Sequence, residues 1–409
     1  MRLLFVTQDE YPPFRADVVE LFARQMPARG HQIDWLMETR ELEAGGGNPV
    51  HWLGNRVYLT RLPQRRGLLG RIARNLQSLL GDLYVIPLAL RNRYDAIQVR
   101  DRFTAGVFGL VAARLSGAKF FYWMSYPFPE SKLDQVRNGY VANRRLVWLK
   151  AQLMRLLLYR VVLPACDHAF VQSERMREDC AREGIDPRKM TPVPMGIHAG
   201  QVRAAEVARP PDTRSPLLLH LGLLMRLRQT EMLVRVLERV RRQYPGARLL
   251  YVGEGQEAQD RQAVEDEVRR LDLEDAVEIT GFLPMEEAWR HVERADICFS
   301  PYYPIPVLQS TSPTKLIEYM AMAKCIVANH HPEQTPIMAE SGVGCTIPWD
   351  EEAFANQVLL LLDDPAEACR RAARGPDWVR RHRTYDVIAD VVEARYRGLL
   401  ANGAARTTS

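Results

Sequence analysis

The feature that most constrains this chain is an alternation that occurs twice. Short apolar runs rich in β-branched and aromatic residues alternate with stretches whose apolar residues recur at helical spacing. In the first series, residues 2–7, 31–37, 56–60, 96–99, 119–123, 168–172 and 191–194 read as strands. Residues 18–29 read as a helix that Gly30 stops. Residues 199–216 are polar, carry Pro210, Pro211 and Pro216, and read as a linker. The alternation then restarts, with strands at 217–221, 247–252, 277–280, 296–300 and 325–328 and helices at 230–243 and 257–271. Strand–helix alternation of this kind builds a parallel sheet covered on both faces. The expectation is an α/β protein of two doubly wound, Rossmann-like domains, 1–198 and 217–383. Such sheets bind ligands at the carboxyl ends of their strands, so two units facing each other would bring two substrates into one cleft.

Composition narrows the class. A chain of 409 residues, 47% apolar, can build two sizeable cores. Its net charge of +5 suits phosphate-bearing ligands or an anionic membrane surface. The six cysteines, Cys166, Cys180, Cys298, Cys325, Cys345 and Cys369, are scattered without a CxxC pair or a Cys/His cluster. They are expected to be reduced structural thiols, with no metal bound. The first ten residues enter polar sequence too soon for a secretory signal, and no run of about 18–20 uncharged apolar residues offers a transmembrane helix. A cytoplasmic location is expected. Gly45, Gly46 and Gly47 form a flexible loop without a phosphate-loop context.

The second half carries the chemistry. The strand at 217–221 ends in Gly222, which lets a phosphate approach the backbone. Arg226 and Arg228 follow and either neutralise that phosphate or sit as solvated loop arginines. The strand at 247–252 runs into Gly253-Glu254-Gly255, a strand–turn–helix lacking the third glycine of a dinucleotide fingerprint. The strand at 277–280 ends in Gly281, with Phe282 expected to pack its ring in the core beside a ligand-proximal backbone. Ser312-Pro313-Thr314-Lys315-Leu316-Ile317-Glu318-Tyr319 follows. Ser312 reads as an N-cap and Pro313 as the first helical residue. The N–H groups of Thr314, Lys315 and Leu316 would then form an anion site suited to a diphosphate, with Lys315 adding a full charge. Glu318, one turn on, would accept from two ribose hydroxyls. The alternative is an ordinary capped helix whose Glu offsets the dipole.

On these motifs the chain resembles the retaining GT-B glycosyltransferases of family GT4, in the branch that carries Ser-Pro-x-Lys-Leu-x-Glu-Tyr. The resemblance covers nearly the whole chain and includes residues 170–174 and 193–197, which look like the segments closing the family's first domain. It implies transfer of a sugar, with retention and without a metal or other cofactor, from a nucleotide-diphosphate sugar. It also implies that the last residues, 384–409, form a helix packing back on the first domain. Arg228, Lys315 and Glu318 take the catalytic positions. Gly222, Arg226, Glu254, Gly255, Gly281, Phe282, Ser310, Thr314 and Leu316 take the donor-binding ones. Arg15, Asp101, Ser125 and Tyr126 fall on the acceptor side, although Asp101, which follows the strand at 96–99, either binds sugar or acceptor hydroxyls or simply forms a turn. The chain departs from the pattern in four places. Ser310 replaces the first of two glutamates eight residues apart. The Arg–Lys pair becomes Leu223 and Arg228. The Gly-Gly acceptor loop becomes Phe14-Arg15-Ala16. No His stands near Met124-Ser125-Tyr126.

Residues 65–74 and 144–160 mix arginines with Leu, Trp and Met. Such segments either lie on an anionic membrane, where each basic residue gains about 1 kcal/mol, or pack a core with their arginines solvated. On the membrane reading the acceptor is a saccharide carried on a polyprenyl lipid; nucleic acid is not an expected partner. Two other classes share the architecture: a nucleotide-sugar epimerase or hydrolase, for which no set of cleft carboxylates is visible, and a catalytically silent nucleotide-sugar-binding subunit.

Overall fold

The computed structural model describes residues 1–40, 48–64 and 67–406. The loop at Gly45–Gly47 and the arginines Arg65 and Arg66 lie outside the described residues. The chain divides into two compact units, Met1–Pro194 with the C-terminal residues from Tyr385, and Met195–Thr384.

The first unit holds strands β1 (Arg2–Glu10), β2 (Gln32–Thr39), β3 (Val50–Trp52), β4 (Asn55–Arg61), β5 (Ala96–Arg100), β6 (Lys119–Met124), β7 (His168–Val171) and β8 (Met190–Pro192). They form one sheet in the order β3-β4-β2-β1-β5-β6-β7-β8, parallel except for the β3–β4 hairpin. Both faces are covered, which is why the strands are continuous apolar runs. Leu4 and Val6 of β1 join a core with the helices Val85–Asn92 and Phe103–Ser116. Leu3 and Phe5 point the other way, into a core with Phe22, Trp35, Phe121 and Phe170. The C-terminal helix Tyr385–Arg406 closes that second face. Tyr396 is fully buried there, its ring 4.6 Å from Phe121 and its hydroxyl bonded to Gln98. Arg29 and His31 fasten the same helix through Glu393.

The second unit holds β9 (Leu217–Leu221), β10 (Arg248–Val252), β11 (Val277–Ile279), β12 (Ile297–Ser300), β13 (Cys325–Asn329) and β14 (Thr346–Ile347). They are all parallel, in the order β11-β10-β9-β12-β13-β14. Residues 199–216 are not a free spacer. The chain changes unit between Pro194 and Met195, and the segment that follows is tied to the second unit. The Arg203 N–H donates to Ala321 O (2.8 Å), Arg209 reaches Arg294 O, and the Ser215 hydroxyl donates to Gly246 O (3.2 Å). Prolines stiffen this strap, and its polar side chains find partners on the surface they cross. All six cysteines are free thiols, and Cys166, Cys180, Cys298 and Cys325 are buried. Among the described residues, no helix is long and apolar enough to cross a membrane.

Candidate functional site

In the second sheet the chain runs from β9 to β10 and β11 on one side, then crosses to β12 on the other. The carboxyl ends of β9 and β12 therefore flank the topological switch point, where open α/β sheets leave a crevice. The glycines at the strand ends are locked together there. Gly222 has φ +145° and Gly253 φ +153°, conformations that side chains rarely adopt. The Gly222 N–H donates to Val252 O (3.0 Å), and Leu224 N–H to Glu254 O (3.1 Å). A Cβ on Gly253 would stand 2.0 Å from the Gly222 carbonyl oxygen, so no other residue fits. Gly281 pairs with Gly253 across an isolated bridge. Gly255 is as constrained, since its Cβ would meet Asp260 Cβ at 2.7 Å.

The helix Thr314–Ala321 starts beside this cluster, and its start differs from expectation. Pro313, not Ser312, holds the capping position, and no side chain caps the helix. The Ser312 hydroxyl is drawn away by longer-range partners: it accepts from the Met195 N–H (3.1 Å) and donates to Glu333 (3.2 Å). The Thr314 N–H is taken by Ser312 O at 2.9 Å. The N–H groups of Lys315 and Leu316 lie in the first turn, where no intrahelical carbonyl precedes them. The Leu316 side chain is fully buried, so only its backbone faces a ligand. Lys315 Nζ donates to Glu318 Oε2 at 2.9 Å. The Lys315 stem passes over Gly222, its Cε 3.8 Å from the point a Cβ would occupy.

Two further residues complete the cluster. Arg228 has no carboxylate partner among the described residues, and its Nε is buried without a hydrogen bond. His220, in β9, is buried with both ring nitrogens unpartnered. Burial, with Arg228 and Lys315 nearby, pushes its pKa down to about 3, so the imidazole is neutral. Tyr302 follows β12 and sits buried among the fields of Arg228, Glu333 and Glu318; burial pushes its hydroxyl up to about 12.

Other predicted residues are placed otherwise. Arg226 is turned aside: its Nε lies 3.3 Å from Asp260 Oδ1, the carboxylate that also caps the helix Ala258–Arg270. The Phe282 ring is 84% exposed rather than packed in the core, because β11 is a short edge strand with nothing beyond it. Glu254 is held by Arg261 (2.8 Å) and its own Gly255 N–H (2.9 Å), next to Gly281. Ser310 is buried, its hydroxyl donating to Pro306 O (3.2 Å).

In the first unit the switch point lies between β1 and β5, and a buried charge cluster fills it. Arg100 reaches Asp9 (2.9 Å) and Asp17 (2.8 Å), with Asp101 at 3.6 Å. Burial works against its charge, but the three carboxylates more than offset that and hold the guanidinium above its ordinary value. Asp101 is turned inward, with φ +53°, and does not present its carboxylate to a ligand. Its oxygens accept from the Ser125 N–H (2.8 Å) and the Ser125 hydroxyl. Burial raises its pKa. Asp101 and Ser125 thus pin the turn after β6. Arg15 stays half-exposed against Asp9 (2.8 Å), and the Tyr126 hydroxyl bonds Ser131 Oγ at 3.2 Å.

Sequence reasoning missed His220, Tyr302 and Arg100. A single His inside the apolar run Leu217–Leu221, and a single Arg closing the run Ala96–Arg100, were the available signals.

Residues 16–196 match the family described as Glycosyl transferase 4-like domain, and residues 215–364 match Glycosyl transferases group 1. Both matches are to glycosyltransferase families, and the chain is a glycosyltransferase. Solved structures agree on the GT-B fold. Sucrose-phosphate synthase from Thermosynechococcus elongatus superposes with a TM-score of 0.73 at 18% identity, over 98% of this chain and 100% of that one. HepE from Anabaena in complex with UDP gives 0.69 at 15% identity, over 97% and 100%. The lipopolysaccharide outer core galactosyltransferase WaaB gives 0.61 at 13% identity, over 100% of both chains. No curated protein sequence matches this glycosyltransferase.

Proposed function

We propose that this protein is a retaining, metal-independent GT4 glycosyltransferase. It takes a sugar from a nucleotide-diphosphate donor and passes it to a saccharide or polyprenyl-linked saccharide in surface glycan synthesis. The observation that carries the donor side is the convergence of Gly222, Lys315, Glu318 and Arg228 at the β9–β12 switch point. The bare Gly222 backbone admits the diphosphate. Lys315, Arg228 and the first-turn N–H groups of helix Thr314–Ala321 supply positive charge where the leaving group becomes more negative. Glu318 accepts from the ribose hydroxyls. The leaving diphosphate receives the proton of the attacking hydroxyl on the same face, so no protein base is needed. HepE, of the same fold, is solved with UDP and with UDP-glucose, which supports a nucleotide-sugar donor.

The acceptor reading draws on WaaB by name and on the surface of the first unit. Helix Arg144–Leu156 exposes Leu146, Trp148, Leu149, Leu153 and Leu156 beside Arg144, Arg145 and Lys150. We place the enzyme at the inner face of an anionic membrane, held reversibly by that surface. The test is to incubate UDP- and GDP-sugars with lipid-linked saccharides and follow nucleoside diphosphate release, product mass and anomeric configuration. An α-linked product from an α-linked donor supports the proposal. Nucleotide release with free sugar only would make the protein a hydrolase.

A further inference from the structure

We infer that His220 is a donor-positioning residue whose Nε2–H donates to an oxygen of the diphosphate. The inference rests on the donor-site reading above and deepens it.

Three observations converge on this residue. His220 is 3% exposed, and neither ring nitrogen has a hydrogen-bonding partner. A buried polar group left unpaired is costly, and native proteins keep few of them without a reason. Second, Nε2 is the ring atom turned to the site. It stands 3.8 Å from the point where a Cβ on Gly222 would sit, as does Lys315 Cε. The space that glycine leaves empty is thus walled by an imidazole nitrogen and a lysine stem. Third, the Arg228 Nε is orphaned in the same cluster. Unsatisfied donors on two side chains, around a bare glycine and a helix N-terminus, want an acceptor-rich anion.

The surroundings decide the protonation state. From the turn after β9 comes Arg228, and from helix Thr314–Ala321 comes Lys315, and both disfavour a charged imidazole. The nearest carboxylate on that helix, Glu318, is already bonded to Lys315. From β10, the Tyr251 ring lies edge-on at 5.9 Å, with its hydroxyl given to Thr230 O. Glu231 lies beside Tyr251 rather than the imidazole. From β12, the Phe299 backbone lies near the ring and favours its charged form, without closing a full hydrogen bond. With a proton on Nε2 the ring donates one hydrogen bond to a phosphate oxygen. Two lysine- or arginine-type cations carry the charge, and His220 fixes where the phosphate oxygen sits.

The test uses the full-length protein with UDP and GDP. His220→Leu removes the donor at similar volume, and His220→Gln restores an N–H near the Nε2 position. A hydrogen bond to a charged group corresponds to a loss of about tenfold or more in affinity. The expected result is that loss in H220L and recovery to within about threefold in H220Q, with the unfolding temperature of ligand-free H220L unchanged or raised. In wild-type protein, the ¹⁵N shifts of His220 should report a proton on Nε2 in the UDP complex. Undiminished affinity in H220L overturns the inference, as does an unprotonated Nε2 in the UDP complex. If wild-type protein binds neither nucleotide, the donor-site reading itself fails.

Discussion

Lys315 Nζ donates to Glu318 Oε2 at 2.9 Å, so the two residues on which donor chemistry depends hold each other when no donor is present. Their i,i+3 spacing puts them on one helix face, and Glu318 is mostly buried while Lys315 is partly exposed. A donor must loosen this pair to reach both. Glu318→Gln keeps the shape and removes the charge that strengthens both ribose contacts, so donor affinity should fall by about tenfold or more. Lys315→Ala should cost turnover more than binding, because leaving-group charge grows toward the transition state. It should also lower the unfolding temperature, since Glu318 loses its partner. Steady-state kinetics and thermal unfolding on both variants check this. Near-normal rates in both would leave the helix as a plain structural element.

The strand-end glycines predict a graded series. Gly253→Ala drives a Cβ to 2.0 Å from the Gly222 carbonyl at φ +153°, and backbone, unlike a flexible side chain, cannot step aside. Gly117 has φ +76° but open space around it. Gly117→Ala should cost about 1 kcal/mol, while Gly253→Ala should cost several times more and abolish nucleotide binding. Urea unfolding with UDP titration separates the two, and equal costs would show that the glycine lock does not matter.

Much of this fold was readable because buried parallel strands are apolar on both faces and therefore stand out. Strands β9 to β13 were visible for that reason. β3 and β14 were not: β3 is the outer arm of a hairpin with no buried residue to stand out, and β14 is two residues long. In the site, the glycines, Lys315 and Glu318 were readable as a strand-end and helix-start pattern. What escaped depended on distant partners. Ser312 looks like an N-cap until Met195, 117 residues away, takes its hydroxyl. Arg226 looks free until Asp260 takes it. Asp101 looks like a cleft carboxylate, but its partners lie on the next strand's turn.

Three buried histidines set an acid limit on stability. Burial pushes His168 down to about 4, His331 to about 4 and His220 to about 3, from an ordinary value of 6.5. Above pH 6.5 they are neutral both folded and unfolded. As pH falls below 6.5 the unfolded chain takes up protons that the folded chain refuses, so stability drops until pH approaches the folded values. The slope is about 1.4 kcal/mol per pH unit for each histidine. Urea midpoints at pH 7.5, 5.5 and 4.5 should fall in that order. A His168→Gln, His331→Gln double variant should fall less steeply, and an identical slope would refute the assignment.

The proposed membrane surface is open to a sharper test than binding alone. On helix Arg144–Leu156, Leu146, Leu149, Leu153 and Leu156 recur at three- and four-residue steps, so they share one exposed face with Trp148 next to it. Arg144, Arg145 and Lys150 have no carboxylate partner among the described residues. By contrast, Arg155 on the same helix is taken up by Glu183 and Glu130. Lys132 lies close enough to Lys150 for the two charges to repel. Apolar contact and unpaired positive charge thus coincide, and they make separable contributions. Leu149→Ser with Leu153→Ser removes apolar contact, and should lower partitioning onto phosphatidylglycerol vesicles by about tenfold while leaving the salt dependence intact. Arg144→Gln with Arg145→Gln removes charge, and should weaken binding at low salt and flatten its decline with added salt. Co-sedimentation across a salt series reads both. If the wild-type protein stays in the supernatant at low ionic strength, or if the two double variants behave alike, this face is not a lipid-binding surface.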